Sequence, residues 1–204
     1  VQLGGIPSSL ATPNRAGTSS WTQLAAGYSH SMGILTTGAL YTWGANGNGV
    51  LGLNDATNRS LPTAVDANSW TQVGFAGAAG TMSPVMIALR SDGSMWSCGN
   101  NSGASAGNGG LLGTNQPLTT IRSSPVQIGT NSWSQVAAGG VAGYGILTTG
   151  ALYAWGYNAD LELGDRSTVS KSSPVLISIS SWTAVSAGFN HNTAIDAFGK
   201  LWTW

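Results

Sequence analysis

One short sequence recurs four times along this chain, and that recurrence constrains the fold more than any other feature. The copies are WTQLAAG from Trp21, WTQVGFAG from Trp70, WSQVAAG from Trp133 and WTAVSAG from Trp182. Each is followed by a second block (GALYTWG, GSMWSCG, GALYAWG or GKLWTW), and three units close on a third block such as SSPVQIG or SSPVLIS. A period of this length indicates a fold made by stacking one supersecondary unit.

The spacing of the opening tryptophans sets the boundaries of the units. Two of the intervals are 49 residues, and the interval from Trp70 to Trp133 is 63. Because the blocks survive while the segments between them lengthen, the extra residues around 78–84 and between 99 and 113 are expected in loops. The predicted units are 21–69, 70–132, 133–181 and a truncated 182–204. Residues 1–20 are predicted to hold the end of a preceding blade and a linker, since VQLG at 1–4 matches VQIG at 126–129.

Each unit has the sequence pattern of a small antiparallel sheet. Runs such as LYTW at 40–43 and LYAW at 152–155 crowd apolar and aromatic residues between glycines, as buried or half-buried strands do. TTGAL and SDGSM place glycine where a tight hairpin turn needs a positive φ. No window shows a helical periodicity. About four strands in about 50 residues predict an all-β fold of four-stranded β-propeller blades.

The motifs resemble those of the regulator of chromosome condensation family. AAGYSHS at 25–31 matches that family's AAG-x-x-H-S segment, and WGANGNGVLG at 43–52 matches its W-G-x-N-x-x-G-x-L-G segment. A second copy of the latter, at 155–164, has Leu161 where glycine is expected, and Cys98 replaces the tryptophan in the second unit. The resemblance implies about four repeats of a seven-bladed ring, in a divergent bacterial or viral member. The ring is expected to be completed by a longer polypeptide or by several chains.

Composition narrows the range of partners. Only 7% of the residues are charged, the net charge is zero, and the seven basic residues are spread singly, so nucleic acid is not expected as a partner. No apolar run approaches the length of a membrane span. Cys98 is the only cysteine, so no disulfide can form within the chain.

His30 and His191 occupy the same position in two repeats, and a metal pair is one interpretation of them. The favoured interpretation is structural. Repeat-equivalent histidines belong to separate blades, each hydrogen-bonding locally to the next turn, and Ala142 fills the position in the third unit. No Cys, His or carboxylate spacing indicates a metal site, so neither a metal nor a cofactor is predicted.

The remaining polar and aromatic residues give no catalytic constellation. Asp160, Glu162 and Asp165 share one loop but lack the alternating oxygen ligands of a calcium loop, so a solvated acidic loop is predicted. The Gly-rich segment 99–110 lacks the Lys-Ser/Thr ending of a phosphate-binding loop, and a surface loop is expected there. The repeat tryptophans are predicted to pack the blades, with sugar stacking as the alternative; they are Trp21, Trp43, Trp70, Trp133, Trp155, Trp182 and Trp204.

These observations favour a non-catalytic scaffold or recognition module of a virion (a phage tail, fibre or capsid decoration) or of an extracellular surface. Its expected partners are other protein subunits or a surface glycan, within a larger complex. The neutral, Ser/Thr/Asn-rich composition is the basis of this expectation. Two alternatives stay open. The resemblance implies a guanine-nucleotide exchange factor for a Ran-type GTPase, and a polysaccharide-active enzyme would require two close carboxylates.

Overall fold

The chain folds into consecutive antiparallel sheets, each a meander of neighbouring strands. The computed structural model describes residues 18–76, 84–102, 110–117 and 119–204, and these residues form β-strands without any helix. The sheets are β1–β4, β5–β8, β9–β12 and a three-stranded β13–β15, called here the first to fourth blades. The predicted all-β propeller-blade fold is confirmed. The strands are β1 Trp21–Ala26, β2 His30–Leu35, β3 Leu40–Gly44, β4 Arg59–Ala64, β5 Trp70–Ala76, β6 Val85–Arg90, β7 Met95–Asn100, β8 Ile121–Gln127, β9 Trp133–Ala138, β10 Ala142–Leu147, β11 Leu152–Gly156, β12 Lys171–Ser178, β13 Trp182–Ala187, β14 Asn192–Asp196 and β15 Leu201–Thr203.

Tight hairpins join the second strand of each blade to the third. Gly38, Gly93, Gly150 and Gly199 stand in these turns with φ between 75° and 89°. An L-residue with a side chain rarely adopts that conformation, so glycine at this position allows the turn. The glycine turns predicted from TTGAL and SDGSM are therefore confirmed. All four hairpins lie at one end of the blades, and the loops between the third and fourth strands lie at the other.

The apolar core lies between the blades rather than inside any one of them. One buried cluster joins Met32, Ile34 and Leu40 of the first blade to Trp70 and Met86 of the second. Similar clusters join the second blade to the third and the third to the fourth. Because a single sheet has no core of its own, each blade is stabilised by its neighbours.

The first strand of each blade contacts the first strand of the next, which places β1, β5, β9 and β13 along the inner side of the array. Glutamines link these inner strands. The Gln72 side chain donates to the Ser134 carbonyl at 3.1 Å and accepts from the Val136 N–H at 3.0 Å. The Gln135 amide likewise donates to the Thr183 carbonyl. These bonds occupy backbone groups that an edge strand would otherwise leave open.

Three sequence-based expectations lie wholly or mainly outside the described residues. They are the strand match at 1–4, the insertion around 78–84 and the Gly-rich loop at 99–110. In the part of the chain that the structure describes, no helix meets the length and hydropathy of a membrane span.

Candidate functional site

In each of the first three blades a long loop joins the third strand to the fourth, and a buried asparagine organises it. The Asn46 Oδ1 accepts the backbone N–H of Leu51 at 2.9 Å, and its Nδ2 donates to the carbonyl of Asp55 at 2.9 Å. Asn101 and Asn158 form the same bond to a leucine N–H at 3.0 and 2.9 Å. The asparagine of the W-G-x-N segment is therefore the internal support of the loop.

Each loop also hydrogen-bonds to the blade that follows it. The residue before the buried leucine of the loop presents its backbone carbonyl to the side chain at the W-G tryptophan position of the next blade. The bond is equivalent at all three junctions, so we name it the loop-to-blade bond. Its members are Cys98 Sγ to Val50 O (3.4 Å), Trp155 Nε1 to Leu111 O (3.0 Å) and Trp204 Nε1 to Glu162 O (2.7 Å).

The loop-to-blade bond accounts for two features of the sequence. Trp155 is fully buried and Trp204 partly so, because a loop of the preceding blade covers each indole. Cys98 can replace tryptophan because its S–H is also a donor, although a weak one. The second blade lacks the W-G tryptophan, yet it keeps the same hydrogen-bonded connection to the first blade.

The loop of the third blade, residues 157–170, departs from the other two at the residue before the loop-to-blade carbonyl. Gly49 and Gly110 precede the loop-to-blade carbonyl in the first and second blades with φ of 68° and 101°. The equivalent residue of the third blade is Leu161, with φ of 68°. A leucine in the left-handed region is held there at a cost of about 1–3 kcal/mol, and such strain clusters at functional sites.

At the other two positions glycine is also required because a Cβ atom would not fit. A Cβ on Gly49 would lie 2.7 Å from the Cα of Ser123, and one on Gly110 would lie 2.8 Å from the carbonyl oxygen of Lys171. Both contacts are with the fourth strand of the following blade. The described part of the fourth blade ends at Trp204, before any strand equivalent to these, so no described strand stands opposite Leu161.

Three apolar side chains are exposed around this junction of the third and fourth blades. Leu161 is 54% exposed, and Val169 and Phe189 are comparably open to solvent. The Asn192 Nδ2 of the fourth blade donates to the Glu162 carbonyl at 2.9 Å, which ties the turn that holds Phe189 to the loop. We call Leu161, Val169 and Phe189 the third-loop surface; it is the candidate functional site.

The acidic residues of this loop support its structure. Glu162 is buried, and its Oε2 accepts the backbone N–H of Asp160 at 3.0 Å. Burial raises the pKa of Asp165, yet hydrogen bonds from Asn158, Ser167 and Lys171 outweigh it, and the pKa lies below its ordinary value. Among the described residues, no three His, Cys, Asp or Glu side chains come together as a metal site would require.

His30 and His191 stand in different environments. His30 is buried, with its ring centroid 4.4 Å from that of Phe75 in the second blade. Its Nε2 has no hydrogen-bond partner in the described structure, so apolar packing rather than the expected local bond holds that end of the ring. Burial lowers its pKa from 6.5 to about 4. His191 is exposed, and the two histidines do not meet.

The remaining repeat tryptophans lie in the sheets. Trp70 and Trp133 are buried. Trp21 and Trp182 are partly buried against Tyr41 and Trp202, at centroid distances of 5.9 and 5.8 Å. Trp43 is half-buried on the first blade.

Sequence reasoning missed one packed arrangement and undervalued another. The Arg90 guanidinium lies 4.7 Å from the ring centroid of Trp70 and 3.8 Å from that of Trp96, and it pairs with Asp66 at 3.0 Å. A single arginine in one repeat leaves no periodic pattern, so nothing in the sequence predicted this stacking. Leu161 was visible as a mismatch to the glycine of the repeat, but its exposure and φ were not.

The successive sheets, bonded loop to blade, define a β-propeller built from one repeated blade. Models of the regulator of chromosome condensation (RCC1) repeat match residues 21–50, 37–82 and 149–195, together just over half of the chain. The chain therefore belongs to the family of proteins built from RCC1 repeats. The resemblance seen in its motifs is confirmed, while a bacterial or viral origin stays a prediction.

Curated relatives match over much of this chain but over less than half of their own length. The RCC1 domain-containing protein RUG3, mitochondrial, of Arabidopsis thaliana is 28% identical over 89% of this chain and 41% of its own. The human E3 ubiquitin-protein ligase HERC2 is 29% identical over 72% of this chain but only 3% of its own length.

Two solved structures show the same fold. Human WBSCR16 has a TM-score of 0.75 at 21% identity, covering 95% of this chain and 49% of that one. Prp20p of Saccharomyces cerevisiae, described with its binding to Gsp1p and histones, has a TM-score of 0.66 at 18% identity, covering 85% and 43%.

The predicted virion or extracellular scaffold was wrong. The similar proteins are RCC1-repeat proteins such as RUG3, HERC2 and Prp20p, and nothing in them points to a surface glycan. The expectation failed because a neutral, Gly- and Asn-rich composition follows from the propeller itself. Asparagines support its loops, glycines turn its hairpins, and its blades pack on apolar faces.

Proposed function

We propose that this chain is a protein-binding part of an RCC1-type propeller, and that it holds its partner with the third-loop surface. Leu161 is the observation that carries the proposal. It is exposed, apolar and in a backbone conformation that the first two blades reserve for glycine. Backbone strain that a sequence retains at one repeat position, where the equivalent positions use glycine, is a mark of a functional site, and it supports Leu161 as a contact for another molecule.

The chemistry of the surface favours a protein as that molecule. Its three side chains are apolar, exposed apolar patches mark interaction sites, and an aromatic residue such as Phe189 is of a type enriched at protein interfaces. The rigid support is the buried Asn158, whose amide bonds to Asp165 at 2.9 Å and to the Ser167 carbonyl at 2.8 Å. The related propeller Prp20p, which binds Gsp1p and histones, is an example of protein binding on this fold.

Site-specific photo-crosslinking tests the proposal. A photoreactive phenylalanine analogue is placed at Leu161 in one sample and at Leu61 in another, because Leu61 is comparably exposed but lies on the outer strand of the first blade. We expect a protein that crosslinks at 161 and not at 61. With that protein purified, Leu161→Asp should weaken binding at least about tenfold. Equal crosslinking at both positions, or unchanged binding of Leu161→Asp, would contradict the proposal.

Guanine-nucleotide exchange on a Ran-type GTPase is the second candidate function. The likeness to Prp20p, described with its binding to Gsp1p, favours it. Release of a fluorescent GDP analogue from a Ran-type GTPase measures this activity directly. We expect release to be faster with the chain than with GTPase alone. No acceleration at micromolar chain would reject exchange, while the crosslinking result would still decide on protein binding.

A further inference from the structure

Each of the first three blades has a basic residue near the start of its fourth strand. These residues are equivalent, because each pairs in the sheet with the glycine that follows the W-G tryptophan position. They are Arg59, Arg122 and Lys171, opposite Gly44, Gly99 and Gly156. The surroundings of the three side chains can therefore be compared directly.

The first and third blades neutralise this basic residue with a carboxylate of their own loop. The Arg59 guanidinium forms an ion pair with Asp55 and also donates to the Thr57 carbonyl at 2.7 Å. The Lys171 Nζ lies 3.4 Å from Oδ2 of Asp165. Within this chain, a loop carboxylate is therefore the partner that a basic residue at this position takes.

The second blade has an amide where the first blade has its carboxylate. The buried Asn101 donates to the Gln116 carbonyl at 3.1 Å, as Asn46 donates to the Asp55 carbonyl at 2.9 Å. Gln116 therefore occupies the position of Asp55. Its Oε1 accepts one hydrogen bond from the Arg122 guanidinium, at 3.1 Å from NH2.

Two buried polar atoms of the second blade lack a hydrogen-bond partner at this place. Thr114 follows the loop glycine as Asp165 does in the third blade, so a hydroxyl replaces that carboxylate. In the described part of the chain, neither Oγ1 of Thr114 nor Nε of Arg122 has a hydrogen-bond partner. Because buried polar groups are nearly always paired in folded proteins, both atoms indicate that an acceptor is missing from this loop.

The chain has no carboxylate of its own to offer Arg122. All seven acidic residues of the sequence lie in the part of the chain that the structure describes, and none is within ion-pair distance of Arg122. Three are paired with other basic residues, two belong to the third loop, and two lie at the hairpin end of the blades. They are Asp55, Asp66 and Asp165, then Asp160 and Glu162, then Asp92 and Asp196.

Arg122 lies at the loop end of the propeller, between two four-stranded neighbours. The first loop reaches the strand of Arg122, where the Asn54 N–H donates to the Ser123 carbonyl at 2.7 Å. The second loop reaches the third blade, where the Asn115 N–H donates to the Ser172 carbonyl at 2.8 Å. Arg122 and Gln116 are each partly exposed, so another molecule can reach the guanidinium.

We infer that Arg122 binds a carboxylate side chain in an acidic segment of a partner protein, at the place where the first and third blades use a carboxylate of their own. Charge-assisted hydrogen bonds are about twice as strong as neutral ones, so the carboxylate replaces the Gln116 amide on the guanidinium. A single cation among neutral side chains suits one Asp or Glu, whereas nucleic acid requires clustered basic residues. The inference does not rest on the third-loop surface, because charge rather than apolar contact carries it.

An NMR titration of the full 204-residue chain tests this site. The probe is a six-residue glutamate peptide, and the observed signal is the Nε–H of Arg122, assigned by its loss in Arg122→Lys. We expect a saturable shift with a dissociation constant below ~1 mM. A glutamine peptide of the same length should cause no shift.

Two variants of Gln116 test whether the site takes a carboxylate, and both keep the arginine that is observed. Gln116→Asp supplies a carboxylate at the position of Asp55, and Gln116→Asn is its neutral match. We expect the aspartate variant to bind the glutamate peptide at least tenfold more weakly than the asparagine variant. Arg166→Gln removes the same charge as Arg122→Gln would, from an exposed position in the third loop, and should leave the affinity unchanged.

Several outcomes would overturn the inference. They are no shift of the Arg122 signal up to ~10 mM peptide, an equal shift with the glutamine peptide, equal affinities of the two Gln116 variants, and weaker binding in Arg166→Gln. Inorganic phosphate is titrated in parallel. A shift at lower concentrations of phosphate than of peptide would assign the site to a phosphate group and would also overturn the inference.

Discussion

Replacing Leu161 by glycine and by alanine tests whether the third loop is strained. Both variants lose the same partial packing of the leucine side chain, so their difference reports the backbone alone. A residue with a Cβ costs about 1–2 kcal/mol in the left-handed region. This advantage of glycine over alanine is reduced by about 0.5–1 kcal/mol, because glycine loses more conformational freedom on folding. Leu161→Gly should therefore be more stable than Leu161→Ala by about 0.5–1 kcal/mol.

Leu176 is the matched control, since it is about as exposed as Leu161 but lies in strand β12 and is not among the residues with positive φ. There the order should reverse, with alanine more stable than glycine by about 0.5–1 kcal/mol.

Urea denaturation followed by tryptophan fluorescence measures both pairs, and the expected differences correspond to midpoint shifts of about 0.3 M. Alanine equal to or better than glycine at position 161 would refute the assigned strain and, with it, the main argument for the third-loop surface.

Three further perturbations follow from the junctions and the loops. Trp155→Phe removes a buried loop-to-blade bond and should lower the free energy of unfolding, measured by urea denaturation, by about 2–4 kcal/mol. Trp43→Phe, at a half-buried tryptophan, should lower it by less than about 1 kcal/mol. Equal losses for the two variants would contradict the role of that bond. Asn158→Asp places a carboxylate against that of Asp165 and should destabilise the chain by about 3 kcal/mol at neutral pH. This destabilisation should shrink as the pH falls, because the new carboxyl becomes protonated, whereas that of Asn158→Ala should not. Burial lowers the pKa of His30 from 6.5 to about 4 in the folded chain, so the unfolded chain binds more protons between these values. The free energy of unfolding should therefore fall by up to about 3 kcal/mol as the pH drops from 6.5 to 4, and His30→Gln should flatten that part of the curve.

The blade architecture could be predicted because its determinants are local and repeated. Alternation in LYTW, glycine in each hairpin and a constant interval between tryptophans all act within one unit, and each recurs. The registers of Ile34 with Leu40 and of Ile146 with Leu152 follow from these patterns. Repetition makes a weak local pattern readable, because chance agreement among several copies is small.

The candidate site could not be predicted in the same way, since its properties depend on neighbours distant in sequence. The exposure of Leu161 depends on the neighbouring blade, whose three described strands leave the leucine uncovered. The burial of His30 depends on Phe75. The sequence showed Cys98 at the tryptophan position, but not that Cys98 and Trp155 each donate to a loop carbonyl of the preceding blade. The sequence contains these residues, but not the distances between them.

Cys98 has a practical consequence. It is the only thiol in the sequence, it is completely buried between the first and second blades, and burial raises its pKa far above the usual range. A thiol in that state reacts with a labelling reagent only when the junction opens. The rate at which the native chain reacts with such a reagent therefore measures how often the first and second blades separate, and no mutation is needed for the measurement. Because the side chain at this position also makes the loop-to-blade bond, the same atom both holds the junction and reports its opening.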